Sequence, residues 1–193
     1  MLAGGCSLAT PPPQARVRLG PAFDQPPGRI LALATECRTA EEDTCNLGHQ
    51  LAVAAEARMS LEFVGHRIID SETVNLHANR APVGAVPDPT ASPEATQKQT
   101  ILWDLKEIQK YSALLLSMGI DGYLYSRISV GPPRKMAQQR TVAVEISVAR
   151  VADQAMAWRS TCRVETGDYY SLDQAVELAA RCALDSATTV EVP

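Results

Sequence analysis

Cysteine is the residue type in this chain with the most chemistry to offer, and its spacing decides which chemistry. Cys37 and Cys45 have seven residues between them, and neither has a histidine pair close by. Zinc sites use cysteines roughly two to four residues apart and clustered histidines. His49, His66 and His77 show neither HExxH nor His-x-His spacing. No metal and no cofactor is therefore expected, and the histidines read as solvated or loosely packed. An even set of four thiols, Cys37, Cys45, Cys162 and Cys182, suits an oxidising compartment instead. Four cysteines alone permit three pairings. Cys37 with Cys45 would staple a strand to the next helix. Cys162 with Cys182 would close a loop of about 20 residues and stabilise by about 3 kcal/mol.

Other catalytic patterns are missing. There is no G-x-S-x-G elbow, and no cysteine has an evident activating histidine. Glu41, Glu42 and Asp43 form an acidic run without the organising glycine and alternate spacing of a cation loop. Gly131-Pro132-Pro133 lacks the lysine and serine of a phosphate loop. Arg134, Lys135 and Arg140 make one small basic stretch between strands, a candidate contact for anionic lipid or polymer. The expectation is a protein that is not an enzyme.

Cys6 stands apart from the other four. The chain opens Met1-Leu2-Ala3-Gly4-Gly5-Cys6, followed by Ser7 and a tract containing Pro11-Pro12-Pro13. Leucine, small residues and then cysteine resemble a bacterial lipobox, where a peptidase with a narrow pocket cuts before a cysteine that carries lipid. Two or three acyl chains on Cys6 would anchor the chain stably. Ser7 after the cysteine resembles an outer-membrane sorting signal. Residues 1–28 then read as a lipobox-like start and flexible tether. If Met1 is the native start, the alternative is a cytosolic small-ligand-binding protein or enzyme with free thiols. The chain has 193 residues, 46% hydrophobic and 21% charged, so it can build a core. A net charge of −4 argues against nucleic acid as a partner. No run of about 18 apolar residues is present to span a bilayer.

The elements that must position these residues follow from periodicity. Arg29 to Cys37 reads as a strand, and Asn46 as the cap of a helix with Leu47, Leu51, Ala55, Met59 and Phe63 along one face. Gly65 ends that helix, and His66 to Val74 reads as a second strand. Residues 78–95 are a proline-rich loop. Gln97 to Met118 predicts a second helix, closed by Gly119, and Ile120 to Val130 a strand. Thr141 to Val151 alternates strictly, with Val142, Val144, Ile146 and Val148 on one side. Asp153-Gln154 turns the chain into a returning strand through Trp158, Cys162 and Val164. Ser171 to Gln174 resembles a capping box for a last helix. The expected fold is α/β (α+β): a mixed sheet with a C-terminal antiparallel meander, covered on one face by about three helices. It forms a single domain over 29–187, with a tail at 188–193.

Gly119-Ile120-Asp121-Gly122-Tyr123-Leu124-Tyr125-Ser126-Arg127-Ile128 is similar to a "G-A-D-Y-V-L-x-G-x-I" segment that follows the second helix in one group of proteins. These are the periplasmic lipoproteins related to the curli-secretion protein CsgG, the penicillin-binding-protein activator LpoB and the TolB amino-terminal domain. Val144 to Arg150 and Ala157 to Ser160 resemble that group's next hairpin, with Trp158 in its tryptophan place. Ser126 stands where the group has glycine, and Gln154 where a Thr-Gly turn is common. The resemblance runs from about Arg29 to Ala187 and implies a lipid-anchored protein on the periplasmic side of the outer membrane. It further implies a scaffold, assembly or regulatory subunit of an envelope machine, for secretion, polysaccharide export, flagellar rings or peptidoglycan synthesis. Partners would be envelope proteins, or further copies of itself in a ring.

Overall fold

Alternation along one strand organises the sheet. The computed structural model describes residues 13–39, 45–78, 103–133, 139–167 and 170–188. In strand β6 (Thr141–Arg150), Val142, Val144, Ile146 and Val148 are all fully buried. Strand β5 (Gly122–Val130) pairs antiparallel with β6 over nine residues, Gly122 opposite Arg150 through Val130 opposite Val142. Strand β7 (Met156–Glu165) pairs on the other side, with one register shift at Val148 and Ala149. With period two, a slip of one residue would turn the whole apolar set to the other face, so burial fixes this register.

The expected first strand is two. β2 (Arg29–Ala32) and β3 (Glu36–Thr39) both run parallel to β5, one along each half of it. Helix α1 (Leu47–Phe63) follows and ends where Gly65 takes φ 96°. The expected strand from His66 to Val74 is corrected: β4 is only Arg67–Ile69, and helix α2 begins at Ser71 and runs to Ala78. A short stretch of β-branched character cannot be told from a helix start by periodicity, and Asp70 and Ser71 begin the turn. Of the predicted helix from Gln97 to Met118, residues 97–102 lie outside those described. After them Asp104 caps α3 (Leu105–Lys110), and Tyr111 separates it from α4 (Ser112–Ser117). Helix α5 (Leu172–Thr188) opens with the expected capping box, Ser171 and Gln174 exchanging hydrogen bonds of 3.0 and 3.3 Å.

The largest correction concerns the tether. Strand β1 (Ala15–Leu19) lies inside the segment read as flexible and pairs antiparallel with β7, Ala15 opposite Cys162 and Leu19 opposite Trp158. Ala22 and Pro27 are buried as well. The sheet has seven strands in the order β1-β7-β6-β5-β2-β4, with β3 also on β5. Helices lie on both faces, not one. α1 and α5 cover the face of Ile30, Leu124, Ile128 and Ile146. α2, α3 and α4 cover part of the other face, over Leu31, Ile69 and Tyr123.

The Gly119-to-Gly122 segment shows how sequence sets the junction. Gly119 ends α4 at φ 70°. Asp121 then accepts hydrogen bonds from the backbone N–H groups of Gly28 (3.1 Å) and Arg29 (2.7 Å), fixing where β2 enters the sheet. A Cβ at Gly122 would stand 2.4 Å from the Pro27 ring, so the close approach needs glycine.

Cys37 is bonded to Cys45, with Cα atoms 6.2 Å apart, joining β3 to the entry of α1. Cys162 is bonded to Cys182, with Cα atoms 5.9 Å apart, joining β7 to α5. Cys6 lies outside the described residues, as does the expected loop at 78–95 except Ala78, which ends α2. Replacing Cys162 and Cys182 together by alanine should lower unfolding free energy by about 3 kcal/mol, read from the urea midpoint.

Candidate functional site

α1 begins with an unusual cap. The Asn46 side chain accepts from the His49 N–H at 2.9 Å, and the His49 ring accepts at Nδ1 from the Asn46 N–H at 3.4 Å. Nδ1 as acceptor assigns the ring proton to Nε2, which donates to Asp173 in the first turn of α5. The imidazole is buried, contrary to the solvated reading, and both its nitrogens are occupied. Residues 124 positions apart are thereby joined, and the two helix N-termini are held side by side.

The face that α1 buries is His49, Val53, Ala57 and Leu61. The stripe that the sequence offers as its apolar face points outward. Leu47 is 68% exposed, Leu51 60%, Met59 58% and Phe63 91%. Both series recur every four residues, so each forms a continuous ridge, and periodicity selects neither. The small Ala57 and medium Val53 let the helix lie close to α5 and β4, and the long side chains go to the surface. α1 thus carries one apolar ridge inward and a second outward, alongside the exposed Arg58–Glu62 ion pair.

Beside the ridge runs a cleft of about 500 Å³ between α1 and α5. Gly48, Ala52, Val53, Val176 and Ala180 line it with small apolar groups. Its polar margin is acidic: Asp173, Glu56 and Glu177. Arg181 pairs with Glu56 at 3.3 Å and Glu177 at 2.6 Å, neutralising one end. Both nitrogens of His49 are engaged, and the side chains that line the cleft include no Ser, Thr, Cys or Lys. What the arrangement can do is take apolar side chains flanked by cations.

The opposite face of the sheet carries a charged row. Glu36 on β3, Arg127 on β5, Glu145 on β6, Thr161 on β7 and Arg16 on β1 stand directly opposite one another across five strands. Glu145 is bracketed by Arg127 at 3.1 Å and Arg159 at 3.7 Å. Tyr125 donates to Glu36 at 2.6 Å. Burial, and after it that hydrogen bond, pushes the Tyr125 hydroxyl up to about 12 from the ordinary 10.0.

Of the basic residues that the sequence offers for interaction, Arg140 sits at the entry to β6, where its N–H donates to Thr166 Oγ1 at 2.8 Å. Arg134 and Lys135 lie outside the described residues, as do Glu41, Glu42 and Asp43. His66 contacts the Pro27 carbonyl at 2.8 Å, and the side chain of His77 is not among those described. Among the described residues, no three His, Cys, Asp or Glu side chains converge as a metal site, and no helix is long and apolar enough to cross a membrane. Sequence reasoning missed Arg16 and Arg18, although Ala15-Arg16-Val17-Arg18-Leu19 alternates as a strand should.

No protein-family model matches the chain, and no curated protein matches it. Solved structures do. Lipoprotein GNA1162 from Neisseria meningitidis is 12% identical with a TM-score of 0.51, over 84% of this chain and 99% of that one. The PelC dodecamer from Paraburkholderia phytofirmans is 13% identical with a TM-score of 0.45, over 88% of this chain and 95% of that one. At such identity the likeness to the Neisseria lipoprotein is one of fold.

Two outcomes follow from the site's geometry. Leu61→Ala should cost about 2–5 kcal/mol in chemical denaturation, and Leu51→Ala on the same helix less than about 0.5 kcal/mol. In alkaline titration, one phenolate should appear only near pH 12. The folded state keeps a proton that the unfolded chain releases near pH 10, so Tyr125's contribution is complete below pH 10 and lost as pH rises towards 12. Tyr125→Phe should remove that late phenolate and that part of the alkaline destabilisation.

Proposed function

We propose that this chain is a non-enzymatic, lipid-anchored protein of the outer membrane's periplasmic side that docks and positions another envelope protein. It would serve as a scaffold, assembly or regulatory subunit, of the kind represented by the CsgG, LpoB and TolB-amino-terminal lipoproteins. The observation that carries the reading is the exposed ridge of Leu47, Leu51, Met59 and Phe63 beside an acid-rimmed apolar cleft. Exposed contiguous apolar surface with a polar rim is the signature of a recognition site. The geometry suits an amphipathic helix laid into a groove, with basic residues flanking its apolar anchors.

Two further features support the address. Both disulfides fit an oxidising compartment. The lipobox-like Met1-to-Cys6 start supplies the thiol for an anchor. The fold shared with the Neisseria lipoprotein agrees with both.

A photo-crosslinker at Leu51, in cells that make the native protein, tests the docking surface. The reading expects a discrete adduct with one envelope protein, abolished by Met59→Glu, while Met59→Glu leaves the thermal melt unchanged. Adducts that survive Met59→Glu would overturn it. An adduct between two copies, with a solution mass several times 20.8 kDa, would replace a foreign partner by a ring of this chain. Intact mass of the native protein checks the address: lipid on Cys6 and two disulfides are expected, and a soluble chain with five free thiols would refute it.

A further inference from the structure

The sheet's second face is only half covered. Over β2, β4 and the start of β5 it is sealed by α2, α3 and α4. Over β7 and β1 no described element covers it, and there it presents Arg16, Arg18, Arg159 and Arg163 around a groove of about 490 Å³. One carboxylate, Glu145, lines the groove with them, and it is already shared between Arg127 and Arg159. Arg16, Arg18 and Arg163 have no carboxylate within ion-pair distance among the described residues. The cross-strand row explains why. Alternating charge neutralises β3, β5 and β6, and at β7 the row meets Thr161 instead of an acid, with Glu165 four residues further along the strand. A chain of net charge −4 thus holds a compact cationic plate on one sheet edge.

Chain connectivity says what the plate faces. β1 begins at Ala15, nine residues after Cys6. Nine residues fully extended reach at most about 32 Å. An anchor at Cys6 would therefore keep the start of β1 within that distance of the bilayer, with Arg16 and Arg18 one and three residues further along the same strand. Acyl chains on Cys6 would fix the chain to the membrane, and arginines held near an anionic surface add about 1 kcal/mol each, enough to set which face lies against it. We propose that the arginine face of β1 and β7 docks on anionic phospholipid headgroups, laying the sheet against the membrane. The location of the bilayer rests on the anchoring read above; the charge plate does not. The α1 ridge lies on the other side of the sheet, so this orientation turns it away from the bilayer towards soluble partners.

The full chain carrying Cys6→Ser, which has no lipid, separates the two claims. It should co-sediment with vesicles of phosphatidylcholine containing one part in three phosphatidylglycerol, and not with phosphatidylcholine alone. Binding should weaken with salt, because exposed charges are screened beyond about 8–10 Å. The triple variant Arg16→Gln, Arg18→Gln, Arg163→Gln should bind about a hundredfold more weakly, at roughly fivefold per arginine. The helix-side variant Arg58→Gln should bind as the parent does, and circular dichroism melts should be alike for all. Absent binding to the anionic vesicles, or equal loss in the helix-side variant, would overturn the proposal. So would a chain that ignores the vesicles and is retained on immobilised polygalacturonate, an anionic polysaccharide. Missing lipid on native Cys6 would refute the anchor and leave the vesicle result standing.

Discussion

A seven-stranded sheet has two faces to hide, and the described helices cover one and part of the other. That mismatch governs the molecule. α1 and α5 seal the first face over the whole antiparallel meander, where Val142, Val144, Ile146 and Val148 are lost to solvent completely. The short α2, α3 and α4 reach only the β2–β4 side of the second face. What remains uncovered must be polar, and strands there alternate apolar inward with charged outward. The row from Glu36 to Arg16 is the consequence, and its imbalance at the β1 edge is what gives that face a sign.

The helix layer is held in place by more than burial. One disulfide fastens the entry of α1 to β3, the other fastens α5 to β7, and His49 bridges the two helices to Asp173. These ties constrain how α1 can shift relative to the sheet. A helix apolar on both flanks would otherwise have two equivalent ways to pack, with the ridge of Leu51 and Met59 competing against Val53 and Leu61 for the interior. Fixing the choice covalently leaves the larger side chains free for another molecule.

Legibility in the sequence tracked how local the cause was. The β6 alternation, the Asn46 and Ser171 caps and the glycines at 65 and 119 all act within a few residues, and each element is found where its signal lies. The choice of α1 face was not legible, because two ridges of the same period differ only in side-chain size and the arbiter is α5, more than a hundred residues away. The His49–Asp173 bond has the same origin. β1 was legible in principle: Arg16, Val17, Arg18 and Leu19 alternate, but five residues amid Pro and Gly are a faint signal beside a strand of ten. The helix at Ser71 was hidden by β-branched neighbours that suit either element.

The pairing of β1 with β7 has a bearing on how the fold is reached. Residues 15–19 meet residues 158–162, so β1 has no partner on β7 until about 140 further residues have followed it from the ribosome. Closing so long a loop is slow relative to the local hairpin of β5 and β6. Until it closes, β7 offers an unpaired edge, and a bare strand edge invites pairing with the wrong chain. Charged side chains on a strand oppose such wrong pairing, and Arg16 and Arg18 alternate along β1. β1 is thus the strand that covers the outer edge of β7.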